Sequence, residues 1–527
     1  MRLDSVAVLG GGPGGLYAAR LLKLSNPDAD VRVYEQGVPD KTFGFGVGLA
    51  SRTQRNLREA DPASLDAIVD VAYPHEMSMQ VSDQVARLPG GNLLAIARTT
   101  LLEVLQHKAE QAGVHLHYGS RRDIATLDAD LVIAADGINS ATRTALADRF
   151  QPHIDTGAGL YLWCGTDFAL PTAMFVPVTT EHGTFVAHAY PYAPDRSTFL
   201  IETDEHTWRN AGFDRSTEQT LPSDSDLASL TYLQEAFAGP LQGHPLIGNR
   251  TRWTQFRTIK CRNWHAGNVV LLGDAAHTAH YSIGSGTKLA MEDAIALDAA
   301  ITAAPDVATA LADYDSARRP AVEHFQTVAH RSELWWESFP DRLHLPVEQL
   351  MLSYMTRAGK VDIDHYLRSA PDLARDGLAA YAGVDRAAVP GTDVIEWVLS
   401  RPLDGDSARH PTRIAPAELR DDADTSVINV AINDAWGTEA DALLRDIPST
   451  GTLWLTGAGD RSSVLTRLAV AERLRNQKVR VVVEAPSTYT GDLAAGLASA
   501  RTDLVHIDDA AAQSTDPAAE LYLQAHA

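Results

Sequence analysis

Residues 1–36 read MRLDSVAVLGGGPGGLYAARLLKLSNPDADVRVYEQ. An apolar run, Val6–Leu9, stops at a glycine cluster, and a helical apolar period then runs from Gly14 to about Leu24. A second strand-like run follows at Val31–Glu35. Strand, glycine turn, helix, strand is the β-α-β order, and it points to a parallel sheet covered by helices. In the turn, Gly10, Gly12 and Gly15 keep GxGxxG spacing, with Pro13 and Gly14 between them. The first glycine allows the tight turn and the second admits a pyrophosphate to the backbone. The third lets the helix pack closely, and the helix N-terminus offers free N–H groups to the anion. Glu35, followed by Gln36, lies 20 residues after Gly15, where a carboxylate accepts ribose hydroxyls. This element fits FAD and NAD equally.

At 527 residues the chain exceeds one hydrophobic core, so two or three domains are expected. No run of about 18 apolar residues suggests a membrane span. Two cysteines, Cys164 and Cys261, argue against a disulfide framework and a thiolate metal site, so no metal is expected. With no signal-peptide pattern at the start, a cytoplasmic location is expected. The formal net charge of −23 disfavours a nucleic-acid partner. A local basic patch, Arg257, Lys260 and Arg262 in TQFRTIKCRNW, reads either as an exposed polar face or as a lane for an anionic small molecule.

Further along, Leu101–Ala112 reads as a helix, and Leu131–Ala135 (LVIAA) and Val269–Leu272 read as buried strands. Between the two strands the texture changes. TFVAHAYPY (184–192) and STFLIET (197–203) are rich in aromatic and β-branched residues, which suggests a separate antiparallel sheet. A helix-like segment spans Thr287–Thr302, and helical patterning returns from Trp335 to Leu378. The Pro-, Asp- and Arg-rich stretch 389–414 reads as a linker, and strands alternate with helices from Thr425 to Ile507.

Two further segments narrow the cofactor. DGINSATR supplies Asp136, Gly137, Ser140 and Arg143, and GDAAHTAHYSIGSGTK supplies Gly273, Asp274, Gly284, Ser285, Gly286 and Thr287. With the N-terminal glycines, these three motifs in this order resemble the single-component FAD-dependent aromatic hydroxylases of the p-hydroxybenzoate hydroxylase fold, over roughly the first 380 residues. The fold class implied is α/β (α+β): a Rossmann-type FAD domain with an inserted antiparallel sheet, plus a small C-terminal α/β domain. The boundaries are an FAD domain over 1–75, 98–150 and 255–330 and a substrate-binding sheet over 76–97 and 151–254. A helical segment over 331–385, a linker over 386–424 and the C-terminal domain over 425–527 complete the chain.

The resemblance implies roles. Asp274 would meet the ribityl hydroxyls. Gly284, Ser285, Gly286 and Thr287 would aim N–H groups at the isoalloxazine edge that gains negative charge on reduction. Arg98 would lie near the cofactor, with Gly46 and Val47 beside it. Asp136–Gly137 would serve FAD and the nicotinamide; the alternative for Asp136 is a helix cap. Tyr281 and Lys288 stand where the family usually has proline and asparagine. FGFGVGL (43–49), LYLWCGT (160–166), TFVAHAYPY, HYSIGSGT (280–287) and RSELWWESFPDRLHL (331–345) resemble a narrower group. It comprises the monooxygenases of aromatic acyl-CoA thioesters and the tryptophan-derived hydroxylase of violacein biosynthesis.

The implied reaction takes hydride from NADH or NADPH to FAD, adds O2 at flavin C4a as a hydroperoxide and transfers one oxygen atom to an electron-rich ring, with water excluded. Its substrate would be an aromatic acyl-CoA thioester, or alternatively an indole-type or other small aromatic intermediate. FAD-dependent reduction without oxygen insertion is the alternative from another class. His280, Tyr281, His188 and Tyr190 are the candidates for catalysis. Phe45, Trp163, Ser282 and Arg257, with His188, Tyr190 and Tyr281, are the candidates for substrate contact. His188 and Tyr190 also fit a packed sheet face. A monomer or homodimer without membrane or nucleic-acid partners is expected. The C-terminal stretch 452–485 echoes the opening with Gly457, Gly459, Ser462 and Glu484, and reads as a scaffold layer or a nicotinamide half-domain.

Overall fold

The computed structural model describes residues 1–38, 44–284, 286–445, 447–475 and 479–508. The chain divides into two units, Met1–Ser82 with Pro89–Glu337, and Asp83–Leu88 with Ser338–Ala527.

In the first unit the opening stretch folds as its periodicity requires. The strand Ser5–Leu9 leads through the glycine turn into the helix Pro13–Ser25, which has proline at its first position and Lys23 in its last turn. The chain returns as the strand Asp30–Tyr34, parallel to Ser5–Leu9. Leu131–Ala134 lies on the other side of Ser5–Leu9, followed outward by Val269–Leu271 and the edge hairpin strand His265–Ala266. His115–His117 closes the opposite edge. The central strands are buried on both faces, so they read as continuous apolar runs rather than alternating ones. Behind the first helix, Arg20 is buried against Asp61 at 2.6 Å and bonds the Lys108 carbonyl at 2.6 Å, which ties three helical segments together.

The second sheet is built mainly of antiparallel pairs among Pro152–Thr166, Arg196–Thr203, Gly183–Ala193 and Ala173–Thr180. It reaches beyond the stretches 76–97 and 151–254: Gly46–Leu49 pairs with Leu94–Ala97, and Thr254–Cys261 pairs with Pro152–Tyr161. Alternation gives the sheet two unlike faces. Leu162, Cys164, Phe185, Ala187, Phe199 and Ile201 form a closed apolar core with Phe213, Leu230, Leu233 and Phe237 from the helices beneath. Tyr161, Trp163, Phe175, His188, Tyr190 and Glu202 have the opposite parity and share the other face.

The second unit carries a four-stranded parallel sheet in sequential order, Thr425–Asn429, Thr452–Thr456, Arg480–Pro486 and Leu504–Asp508. The passage 386–424, expected as a linker, is structured: it holds the helix Val394–Leu399 and buries His410 and Arg413. The Arg413 guanidinium donates to the carbonyls of Pro402 and Asp503, and Ile414 bridges Val505 at the sheet edge. Arg413 thus satisfies backbone carbonyls in the interior, while most of the other charged side chains of the passage face solvent.

Candidate active site

The glycine turn is held by its neighbours. A Cβ on Gly10, whose φ is +104°, would stand 2.2 Å from the Ala135 carbonyl oxygen, and one on Gly15 would stand 2.2 Å from that of Gly10. At Gly12 a Cβ would meet nothing within 4 Å, so the turn opens a cradle beside the N-terminus of the helix Pro13–Ser25. Gly14 packs against Leu272 and Ala290. Glu35 accepts from the backbone N–H of Gly11 at 2.7 Å and of Gly37 at 2.6 Å, which fixes its carboxylate under the turn; Gln36 is exposed.

The two later motifs are tied to each other. Asp136 braces the start of the short helix Ala141–Ala145, whose N-cap is Ser140: its oxygens accept from Ser140 Oγ at 2.6 Å and from Thr142 N and Oγ1 at 3.0 Å. Gly137 turns with φ +78°. The buried Arg143 guanidinium donates to the carbonyls of Ile138, Asp274 and Ala275. Behind Gly273, the fully buried Asp293 accepts from the Gly273 N–H at 3.0 Å, pairs with His277 Nε2 at 2.7 Å and receives Arg318 Nε at 2.7 Å. Burial alone would raise its pKa, but His277 and Arg318 hold it below the ordinary carboxylate value.

The residues fit a flavin dinucleotide. Among the described residues, no donor reaches the half-buried Asp274 carboxylate. Desolvation raises its pKa against the pull of Arg98 and His277. The buried Arg98 Nε likewise lacks a partner. Gly284, at φ +62°, and Gly286 both face open space where the helix Gly286–Ala303 begins with Thr287 in its first turn. A polyhydroxylated, anionic cofactor satisfies such groups. Gly46 and Val47 pair with Ala97 and Ile96, and Arg98 N donates to the Phe45 carbonyl at 2.8 Å, which holds this strand beside Arg98. Ser285 lies outside the described residues.

On the sheet face an aromatic box encloses the rings of Tyr281 and His188. The Tyr281 ring meets Tyr161 at 4.9 Å, Phe256 at 5.9 Å, Trp163 at 6.0 Å and His188 at 6.3 Å between centroids. His188 in turn packs on Trp336 at 4.2 Å and Phe175 at 5.1 Å. The Tyr281 hydroxyl donates to Glu202 Oε1 in a short hydrogen bond. His188 Nε2 lies 3.0 Å from Glu202 Oε2, close enough for an ion pair though off the line of a straight hydrogen bond. Desolvation pushes the Glu202 pKa up, but His188 and the Tyr281 hydroxyl outweigh it and hold the carboxyl below its ordinary value. Burial and the same carboxylate drive the Tyr281 phenol well above 10.

Two more carboxylates approach from the helix Val307–Glu337. Glu333 and Glu337, one helical turn apart, lie against Gly157 and Gly159; a Cβ on Gly157 would come within 2.3 Å of Glu333 Oε1. Glu337 Oε1 accepts from the Gly159 N–H at 2.6 Å. Burial, with Glu333 and Glu202 nearby, raises the Glu337 carboxyl to about 7. His280 is pushed down by burial, against the pull of Glu333 and Glu202. Its Nδ1 bonds Ser282 Oγ at 2.9 Å, and Ser282 Oγ meets Ser332 Oγ at 2.7 Å.

His188, Tyr281, His280 and Trp163 thus converge, and Ser282 anchors their loop to the long helix. Tyr190 shares the face but donates to the Gly46 carbonyl at 2.7 Å, and burial raises its phenol to about 12. Phe45 packs over Gly165. Arg257 donates to Asn139 Oδ1 at 2.9 Å. Lys260 points to the other face of that strand, 3.9 Å from Asp155, so the three cations of TQFRTIKCRNW form no single lane. Glu202, Tyr161, Phe175, Phe256, Trp336, Glu333, Glu337 and Asp293 were missed in the sequence. The lone acid inside STFLIET was the available signal. In the second unit, Glu484 is consumed by Trp454 Nε1, Thr456 Oγ1 and Arg420, and Arg467 donates to the Ala458 carbonyl under the Gly457 turn. Those contacts suit a scaffold layer. Among the described residues, no three His, Cys, Asp or Glu side chains are arranged to hold a metal ion, and no helix is long and apolar enough to cross a membrane.

Residues 94–329 match the family described as FAD binding domain. Salicyloyl-CoA 5-hydroxylase of a Streptomyces species is 43% identical over 338 residues, covering 63% of this chain; the chain spans 65% of that protein's length. The 3-hydroxy-4-methyl-anthranilyl-(aryl-carrier protein) 5-monooxygenase of Streptosporangium sibiricum is 40% identical over 376 residues, 71% of this chain and 98% of that one. Protodeoxyviolaceinate monooxygenase of Chromobacterium violaceum is 29% identical over 361 residues, 67% of this chain and 94% of that one. The crystal structure of 2-methyl-3-hydroxypyridine-5-carboxylic acid oxygenase shares the fold, with a TM-score of 0.51 and 18% identity over 71% of this chain and 97% of that one. Cradle, motifs and relatives agree, and the chain belongs to the group A flavin monooxygenases, oxidoreductases that use FAD, a reduced nicotinamide and O2.

Proposed function

We propose that this chain hydroxylates an electron-rich aromatic ring presented as an acyl thioester. The observation that carries the reading is the aromatic box, with Tyr161, Trp163 and Phe256 against the ring of Tyr281, whose hydroxyl Glu202 holds, and Phe175 and Trp336 against His188. Flat apolar walls orient a ring and keep water from it, and one fixed polar group sets its direction. Two relatives at 40% identity or above support the thioester by their names, one a CoA thioester and the other a carrier-protein aryl group.

FAD, once reduced by NADH or NADPH, supplies the activation of O2 and the transfer of one oxygen atom. The Gly12 cradle, Arg98, Asp274 and the Gly286 helix start hold the cofactor. His188 and Glu202 fix the Tyr281 hydroxyl as a donor to the carboxylate, which leaves its oxygen lone pairs to accept from a ring hydroxyl or amino group. The indole-type alternative draws support from the protodeoxyviolaceinate relative. A cytoplasmic monomer or homodimer completes the proposal.

The test is NAD(P)H oxidation together with O2 uptake on salicyloyl-CoA, salicylate and a tryptophan-derived substrate. The thioester alone is expected to stimulate both rates. Equal stimulation by acid and thioester would remove the thioester reading. Stimulated oxidation without O2 uptake would point instead to a reductase.

A further inference from the structure

Three carboxyl side chains converge on the box. Glu202 lies within it, held below its ordinary pKa and engaged on both oxygens by His188 and Tyr281, and the Glu333 and Glu337 carboxyl groups reach its rim across Gly157 and Gly159. The groups facing Glu202 from neighbouring elements are His188 on its own sheet, Tyr281 and His280 on the loop, and Glu333 and Glu337 on the long helix. His330 is drawn to Glu333 at 3.2 Å. Arg257, which opposes the burial-driven rise of the Tyr161 phenol, donates to Asn139 Oδ1.

We propose that Glu202 is a specificity-determining residue: its charge in the aromatic box excludes free aromatic carboxylates and admits rings whose acyl group is neutral, as in a thioester or amide. This rests on the reading of the box as the ring-binding site, and it adds a reason for a thioester handle. A substrate carboxylate beside Glu202 would face a like charge in a low-dielectric enclosure, whereas a carbonyl carrying sulfur or nitrogen brings no charge. The hydroxyl or amino donor on the ring stays compatible, because Tyr281 offers it an acceptor. Selectivity arises from repulsion of the wrong ligand as well as contact with the right one.

The experiment uses the full-length, FAD-loaded protein and two probes without CoA, salicylamide and salicylate. Their dissociation constants are read from the flavin absorbance change at a pH where salicylate is ionised. Wild type is expected to bind salicylamide at least about tenfold more tightly, the scale of one like-charge contact at an intermediate dielectric. Glu202→Gln, checked for retained FAD and circular dichroism, is expected to shrink that ratio about tenfold by improving salicylate binding. Glu333→Gln, which leaves the Tyr281 hydrogen bond in place, should shrink it in the same direction by a smaller factor. Equal affinities in wild type, or an unchanged ratio in both variants, would overturn the inference. Neither probe contains a thioester, so the inference fails or survives separately from the thioester reading, which the salicyloyl-CoA assay decides.

Discussion

Replacing Asp293 with alanine tests how the GD motif is held. The wild-type carboxylate accepts from Gly273 N, His277 Nε2 and Arg318 Nε, at 3.0, 2.7 and 2.7 Å, in a fully buried position. Removing it takes one of two carboxylates from the Arg318 guanidinium, which keeps Glu292 Oε2 at 3.1 Å, so the cost lies at the lower end of the about 3–5 kcal/mol of a fully orphaned buried charge. The buried Gly273 N–H loses its acceptor, which adds about 1–3 kcal/mol, and the shared network makes the two costs less than additive. A total near 5 kcal/mol is expected. With an unfolding entropy of roughly 2.1 cal/mol/K per residue, the first unit, about 330 residues long, gains ~0.7 kcal/mol/K. The melting temperature should therefore fall by about 7 °C, read by circular dichroism on the FAD-loaded protein. The pH dependence has a defined sign. Because the folded-state pKa of Asp293 is held below its ordinary value, its contribution is present above the unfolded pKa and is lost as pH falls through the folded one. A fall below 2 °C, with wild-type and variant curves parallel in acid, would refute the account.

Gly15→Ala drives a methyl group into the Gly10 carbonyl and should abolish FAD retention, measured as the flavin-to-protein absorbance ratio after desalting; a normal ratio would contradict the cradle. Glu337 titrates near 7 when folded, above its ordinary value, so its contribution is fully present in acid and is lost as pH rises toward 7. Glu337→Gln should flatten the decline of melting temperature between pH 5 and 8, and unchanged curvature would show that this carboxyl is not responsible. Glu484→Gln should weaken the C-terminal unit by about 1–3 kcal/mol through loss of a charged acceptor while leaving NADH and NADPH affinity unchanged. Reduced nicotinamide affinity would return that unit to cofactor binding.

Much of the cofactor half was legible because its constraints are local. Gly10 and Gly15 are dictated by carbonyls a few residues away or on the adjoining strand, and the buried strands need apolar side chains on both faces. The strand 184–192 likewise carried its parity in its own alternation, which put His188 and Tyr190 on one face. Which face met the site was a matter of packing: Phe213 and Phe237 cover one side, and Trp336 with Tyr281 covers the other.

The sequence alone determined a dinucleotide turn, three flavin motifs in order and an inserted aromatic sheet. Only the tertiary structure decided how each carboxylate is used, because the partners of a buried charge come from distant segments. Glu484 is occupied by a tryptophan and a threonine 30 and 28 residues back, and Glu202 by His188 and a tyrosine 79 residues away. Both are acids within an apolar strand, and chain order carries no trace of their partners, whereas Asp136 finds its donors four and six residues on. Desolvation makes each of them bind whatever donor the fold brings near.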